Sequence, residues 1–214
     1  MTMRFLVISD IHMRERVKIW ATELIESQGA DALLVLGDIT QFGPPEWAEE
    51  FLSHFDVPVY AVPGNCDPPL VLDRIEKAAT SLHARRVELE GETIVGLGGS
   101  NPTIFDTPNE QTEDEIYATL IPIVKEGCIM VTHCPPYGIN DLTRHGHHAG
   151  SHALGRILDE FKPKAWLAGH IHEARGVMDL NGTIFMNPGA AKDGYSGLLD
   201  IGGDIQVKLL DRIE

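Results

Sequence analysis

Five short apolar runs in this chain each lead straight into side chains bearing a carboxylate, an amide or an imidazole. Phe5-Leu6-Val7-Ile8 runs into Asp10-Ile11-His12, and Ala32 to Leu36 into Gly37-Asp38. Val57 to Val62 runs into Gly64-Asn65-Cys66-Asp67, Cys128 to Thr132 into His133, and Ala165 to Ala168 into Gly169-His170-Ile171-His172. Short, nearly unbroken apolar runs suit strands buried on both faces. The segments between several of them carry helical spacing instead. Val17, Trp20, Ala21, Leu24 and Ile25 recur at steps of three and four, with Gly29 placed to end the helix. Pro44-Pro45 opens a helix bearing Trp47, Phe51 and Phe55, and Leu70 to Ala79 reads as another. Strands alternating with helices make an α/β fold, whose ligands bind beyond the carboxyl ends of the strands. Five polar strand ends can therefore meet on one edge.

The remaining segments extend this reading. Val87 to Val95 reads as a hairpin turning at Gly91. Gly96 to Pro108, rich in Gly, Pro, Ser and Thr, is expected to be a surface loop. A helix is expected from Thr112 to Lys125, with Ile116, Leu120 and Ile123 on one face. Pro135 to Ser151 lacks periodicity, and long loops within compact domains are often functional. Leu154, Ile157, Leu158 and Phe161 mark the next helix. Asn181-Gly182 signals a type I′ turn between Val177–Leu180 and Thr183–Met186, and Gly202-Gly203 turns a second hairpin. With no repeat or linker in view, residues 1–214 are expected to form a single domain.

Composition narrows the function. The formal net charge of −15 opposes binding to nucleic-acid backbones and anionic membranes. It still allows a small anionic substrate, because bound cations reverse the field locally. No apolar run approaches the roughly 18 residues that span a bilayer. No secretory signal is read either, because the Phe5–Ile8 run is cut short by Asp10 and His12. The cysteines, Cys66, Cys128 and Cys134, form no C-x-x-C pair, which argues against a disulfide framework or zinc ribbon and for a reducing cytoplasm.

The polar strand ends have the chemistry of a metal site. Asp10, His12, Asp38, Asn65, His133, His170 and His172 offer a mixed nitrogen and oxygen set. Such a set suits manganese, iron, cobalt, nickel or zinc better than calcium. In Asp10-x-His12 and His170-x-His172, extended backbone would point both side chains the same way. A carboxylate such as Asp38 has two oxygens and can bridge two ions about 3.5–4 Å apart. Gly37, Gly64 and Gly169 each precede a proposed ligand and are expected to permit a sharp turn there.

From Asp10 to Gly189, the chain resembles the calcineurin-like metallophosphoesterases. Their pattern of D-x-H, G-D, G-N-H-[DE], a later His and G-H-x-H is met by Asp10/His12, Gly37-Asp38, Gly64-Asn65-Cys66-Asp67, His133 and Gly169-His170/His172. Asn187-Pro188-Gly189 is similar to a segment found next in small bacterial and archaeal members. The resemblance implies two mixed β-sheets packed as a sandwich and flanked by helices. It also implies two divalent metal ions, manganese first, with iron, zinc, nickel or cobalt as alternatives. Asp10, His12, Asp38 and His172 would hold one ion, and Asp38, Asn65, His133 and His170 the other. A hydroxide shared by the ions would attack the phosphorus of a small phosphate ester in line.

The family usually has His where this chain has Cys66, near the leaving group. A thiol is a weaker donor than an imidazolium, so alkoxide leaving groups would be poorly served. Small members with G-N-C-D look like phosphodiesterases, and a small phosphodiester is the expected substrate. A phosphomonoesterase or nucleotidase with the same metals is the first alternative. A non-catalytic interaction scaffold is the second, and it would show lost ligands; none is lost here. Cys66 read as a small apolar filler is the plainer account of that residue. The expected catalytic set beyond the metals is Asn65, Cys66 and a replacement acid among His145, His147, His148 and His152, with His148 preferred. A solvated loop with idle histidines is the competing account. Ser151 is read as a helix cap that could also bind an anion, and Asp67 as orienting a ligand or capping the next helix.

Overall fold

The computed structural model describes residues 2–213. The chain runs β1 (Met3–Ile8), α1 (Arg16–Gln28), β2 (Ala32–Val35), α2 (Pro45–Leu52), β3 (Val59–Ala61), α3 (Leu70–Ala78) and β4 (Thr80–Ser81). It continues through β5 (Arg85–Leu89), β6 (Glu92–Leu97), α4 (Glu113–Leu120), β7 (Ile129–Thr132), α5 (His152–Phe161) and β8 (Ala165–Leu167). The last strands are β9 (Gly176–Leu180), β10 (Thr183–Asn187), β11 (Gly197–Ile201) and β12 (Gln206–Leu209).

These strands make two six-stranded sheets, ordered β12-β11-β1-β2-β3-β4 and β5-β6-β7-β8-β10-β9. Both are mixed: β1, β2, β3 and β4 run parallel beside antiparallel β11 and β12, and β6, β7, β8 and β10 run parallel between antiparallel β5 and β9. The period of two in β1 explains the layering. Leu6 and Ile8 face α1, α2 and α3, while Phe5 and Val7 face the second sheet. In β7, Ile129 and Val131 likewise face the first sheet, while Met130 packs beneath α4 and α5. The parallel strands are thus buried on both faces, and this is why their sequences show no polar alternation. Two mixed sheets packed as a sandwich between helices are the architecture expected from the sequence.

Some boundaries differ from expectation. Helix α4 ends at Leu120, because Pro122 cannot continue a helix and restricts the residue before it. The Gly96–Pro108 segment is not all surface loop: Gly96 and Leu97 complete β6, and Gly98, Gly99 and Ser100 are buried. A Cβ at Gly98 would collide with the Pro63 carbonyl, so its glycine serves close packing. The two-residue β4 has too little pattern to be seen in sequence. The two late hairpins form as expected, with Asn181 and Gly182 at φ 54° and 86°. Among the described residues, no helix is long and apolar enough to cross a membrane.

Candidate metal centre

The carboxyl ends of β1, β2 and β3 in one sheet and of β7 and β8 in the other converge, and their loops are laced together by backbone hydrogen bonds. Asp10 N donates to Gly37 O at 3.0 Å, and Ile11 N and His12 N both donate to Asp38 O at 2.9 Å. Within the second sheet, Gly169 N donates to His133 O at 2.9 Å, and across the sheets His170 N donates to Asp10 Oδ2 at 3.2 Å. The seven proposed ligands come together here. His172 Nε2 lies 3.1 Å from Asp10 Oδ1, and His12 Nε2 lies 3.6 Å from Asp38 Oδ2. His133 Nε2 lies 3.4 Å from Asp38 Oδ1 and 2.8 Å from Asn65 Oδ1. The His170 ring centre is 5.1 Å from that of His133.

The backbone is bent to achieve this. Asp10, His12, Asp38 and His170 all take left-handed conformations, with φ of 57°, 46°, 50° and 66°. Each costs about 1–3 kcal/mol for a non-glycine residue and persists only where surrounding structure fixes it, commonly at functional sites. Ile171 N bonds Gly169 O at 2.7 Å, closing a tight turn about His170. The glycines play a different part from the one expected. Only Gly37 among the three has positive φ. A Cβ at Gly64 would strike Asp38, and one at Gly169 would strike Ser9 and crowd Asp10. They let the ligand loops touch, while the ligands themselves supply most of the sharp bends.

Donor chemistry fits cations. The Leu36 carbonyl, 2.7 Å from His133 Nδ1, can only accept, so Nδ1 carries the hydrogen, and in the neutral tautomer Nε2 presents its lone pair. That lone pair faces two oxygen acceptors. Both ring nitrogens of His12 are buried without a hydrogen-bond partner, and Asp10 Oδ1 faces His172 without a hydrogen bond's alignment. Acceptors facing acceptors away from water are costly; a cation among them makes each a ligand. Burial pulls His12 down to about 4 and His170 to about 3, leaving both rings neutral near pH 7. Burial pushes Asp38 up to about 6. Burial also acts to raise Asp10, but its contact with His172 and the nearby imidazoles hold it well below the ordinary carboxylate range.

The other residues singled out from sequence divide sharply. Cys66 is buried, its N–H donates to Asp38 Oδ1 at 2.8 Å, and its sulfur lies within 4.8 Å of donor atoms of His12 and Asp38. Burial, reinforced by the charge of Asp38, pushes its thiol above the ordinary range, so it stays protonated. His148 Nδ1 pairs with buried Asp141 at 2.6 Å, and Asp141 also accepts from Gly138 N and Gly150 N. This loop leans on the metal loop: Asn140 donates to Ala174 O and Gly176 O, and Arg144 N to Glu173. His145 and His147 are exposed, and His152 stacks on Tyr137.

Ser151 caps α5 as expected, but no anion site is open there. Glu113 accepts from Ser151 Oγ, His152 N and Ala153 N, filling the helix end with the chain's own carboxylate. Asp67 caps no helix; it accepts from Ile39 N, Thr40 N, Thr40 Oγ1 and Gly64 N. Sequence reasoning missed Glu110, which accepts from the backbone N–H and hydroxyl of both Thr103 and Thr107. Burial tends to raise Glu110, but these bonds win and hold it at about 2.

The chain is 39% identical over 169 residues to an uncharacterized protein of Methanocaldococcus jannaschii, a match covering 74% of this chain and 77% of that one. Its fold is shared with a Thermus thermophilus protein at TM-score 0.77 and 17% identity, covering 99% of each chain. A structure described as a novel archaeal phosphodiesterase superposes at TM-score 0.58 with 17% identity, covering 97% of this chain and all of that one. The family model for calcineurin-like phosphoesterases matches residues 3–174. With that match and a donor set suited to cations, this chain belongs to the calcineurin-like phosphoesterase family, hydrolases of phosphoric esters that use divalent metals.

Proposed function

We propose that residues 1–214 form a single-domain cytoplasmic phosphodiesterase acting on small phosphodiesters with two divalent ions, manganese first among them. The observation that carries this reading is the placement of Asp38. Its Oδ2 faces His12 and its Oδ1 faces His133, so one carboxylate looks toward two sets of lone pairs. Asp10, His12 and His172 would complete one set, and Asn65, His133 and His170 the other. Such a pair of ions supplies hydroxide near neutral pH and offsets charge on the phosphoryl oxygens. The chain's own groups do the rest. The Leu36 carbonyl fixes the His133 tautomer, and the laced loops hold Asp10, His12 and Asp38 in place. The protonated Cys66 thiol donates weakly to a phosphate oxygen, which suits a diester with a stable leaving group better than an alkyl monoester. The resemblance to an archaeal phosphodiesterase supports the same choice.

A second reading, a monoesterase, is favoured by the Asp141–His148 pair. A buried carboxylate bonded to Nδ1 leaves Nε2 to hold or donate a proton, as a replacement acid requires. Hydrolysis of a chromogenic aryl phosphodiester and its monoester, with manganese and with EDTA, separates the readings. Manganese-dependent turnover that favours the diester is the expected result. Preference for the monoester would overturn it and point to His148. Absence of metal-dependent turnover on either would favour a scaffold.

A further inference from the structure

Asn65 is asked to present its amide oxygen inward, yet an amide can flip, and its two ends differ little in shape. The loop at residues 101–111 settles which end points where. Thr107 Oγ1 lies 2.5 Å from Glu110 Oε1 and 3.0 Å from Asn65 Nδ2. A carboxylate oxygen bonded also by Thr107 N accepts, so the Thr107 hydroxyl must give its hydrogen to Glu110. That leaves the hydroxyl oxygen able only to accept from Asn65. The NH2 end of the amide is therefore drawn to Thr107, and Oδ1 is turned toward His133 Nε2 at 2.8 Å. The loop is pinned to do this. Asn109 N donates to Asn65 O at 3.1 Å, Asn109 Nδ2 to Gly64 O at 2.9 Å, and Gln111 Nε2 to Gly98 O at 2.9 Å.

We infer that Thr107, oriented by Glu110, is a positioning residue that locks the Asn65 amide with its oxygen toward the second ion of the proposed dinuclear centre. The inference rests on that dinuclear reading. It predicts that a change at Thr107 acts on one ion and not the other, because Asp10, His12 and His172 have no contact with this loop's hydroxyl. Replacing the partner that orients a ligand typically weakens metal affinity by about 10–100-fold.

The test is manganese titration of the metal-free full chain by calorimetry, with Thr107→Val and Thr107→Ser beside the wild type. Valine keeps the shape of threonine but accepts no hydrogen bond, whereas serine keeps the hydroxyl. The expected result is two ions in the wild type, one of them bound about 10–100-fold more weakly in Thr107→Val and the other unchanged. Thr107→Ser should restore both affinities to within about 3-fold, and Glu110→Gln should fall between the two variants. Melting temperatures of the metal-free proteins show whether each variant folds. Wild-type affinities for both ions in Thr107→Val would overturn the inference alone, as would Thr107→Ser failing as badly as valine. A wild type that takes up fewer than two ions at saturation would overturn the dinuclear reading, and this inference with it.

Discussion

Asp38 and Asp67 are both buried carboxylates in loops at the same end of the first sheet, and their surroundings are opposite. Asp67 is saturated with donors: three backbone N–H groups and one hydroxyl bond its two oxygens. Asp38 takes one N–H, from Cys66, and otherwise faces the imidazoles of His12 and His133. The difference separates a structural acid from a proposed ligand. An acid fully supplied by backbone donors ties loops together and has nothing left to offer. An acid buried among lone pairs is incompletely satisfied until a cation arrives. Asp141, bonded by two N–H groups and His148, sits nearer to Asp67 in this respect.

The largest expected effect tests Asp38. Asp38→Asn should lower manganese-dependent ester hydrolysis by about 10³-fold or more. Its metal-free melting temperature should hold or rise, because removing an undercompensated buried charge is often neutral or stabilising. Asp67→Asn should do the reverse. The amide puts N–H where backbone N–H groups already point, which costs about 2–5 kcal/mol. That amounts to a melting temperature lower by about 5–15 °C, with or without metal. Thermal melts of both variants in EDTA are decisive: equal losses would erase the distinction.

The smallest effect is one of pH. In the metal-free fold, His12 and His170 sit at about 4 and 3, below the ordinary 6.5, so the unfolded chain binds more protons below pH 6.5. Their contribution is full above pH 6.5 and falls as the pH drops through the folded values. Asp38, raised to about 6, takes up a proton in the same window and offsets one of the two histidines. From these three groups the loss near pH 5 is then about 1.4 kcal/mol per pH unit. Asp38→Asn removes the offset and should roughly double that slope. Denaturant titrations of the metal-free proteins between pH 7 and 4 would show it, and parallel slopes for wild type and Asp38→Asn would refute it.

The proposed ligands were legible in sequence for a physical reason: strands buried on both faces have a plain apolar signature, and the loop after each one begins with polar residues. Asp10, His12, Asp38, Asn65, His133, His170 and His172 were all singled out that way. The groups that act on those ligands were not. Thr107 and Glu110 are three residues apart, but their importance depends on Asn65, 42 positions away. Glu113 reaches the start of α5 from 38 positions upstream, so Ser151 looked free to hold an anion. Gly64 and Gly169 read as turn-formers because sequence shows local bending, whereas their role is to let distant loops touch. Long-range partnership leaves no periodic mark.

The lacing of the first and last ligand loops has a consequence for how the protein is made. Asp10 meets His170 across 160 chain positions. At about 5–20 residues per second, a ribosome needs roughly ten to thirty seconds to travel that distance. Throughout that interval Asp10 and His12 are already synthesised, while half of the histidines of the proposed centre do not yet exist. The complete proposed pocket therefore cannot be loaded from its first segment alone; full loading would await synthesis of His172. A chain stalled before His170 would carry only loose, incomplete chelating groups, and the cell's metal pool would see a finished site only once nearly the whole protein had emerged.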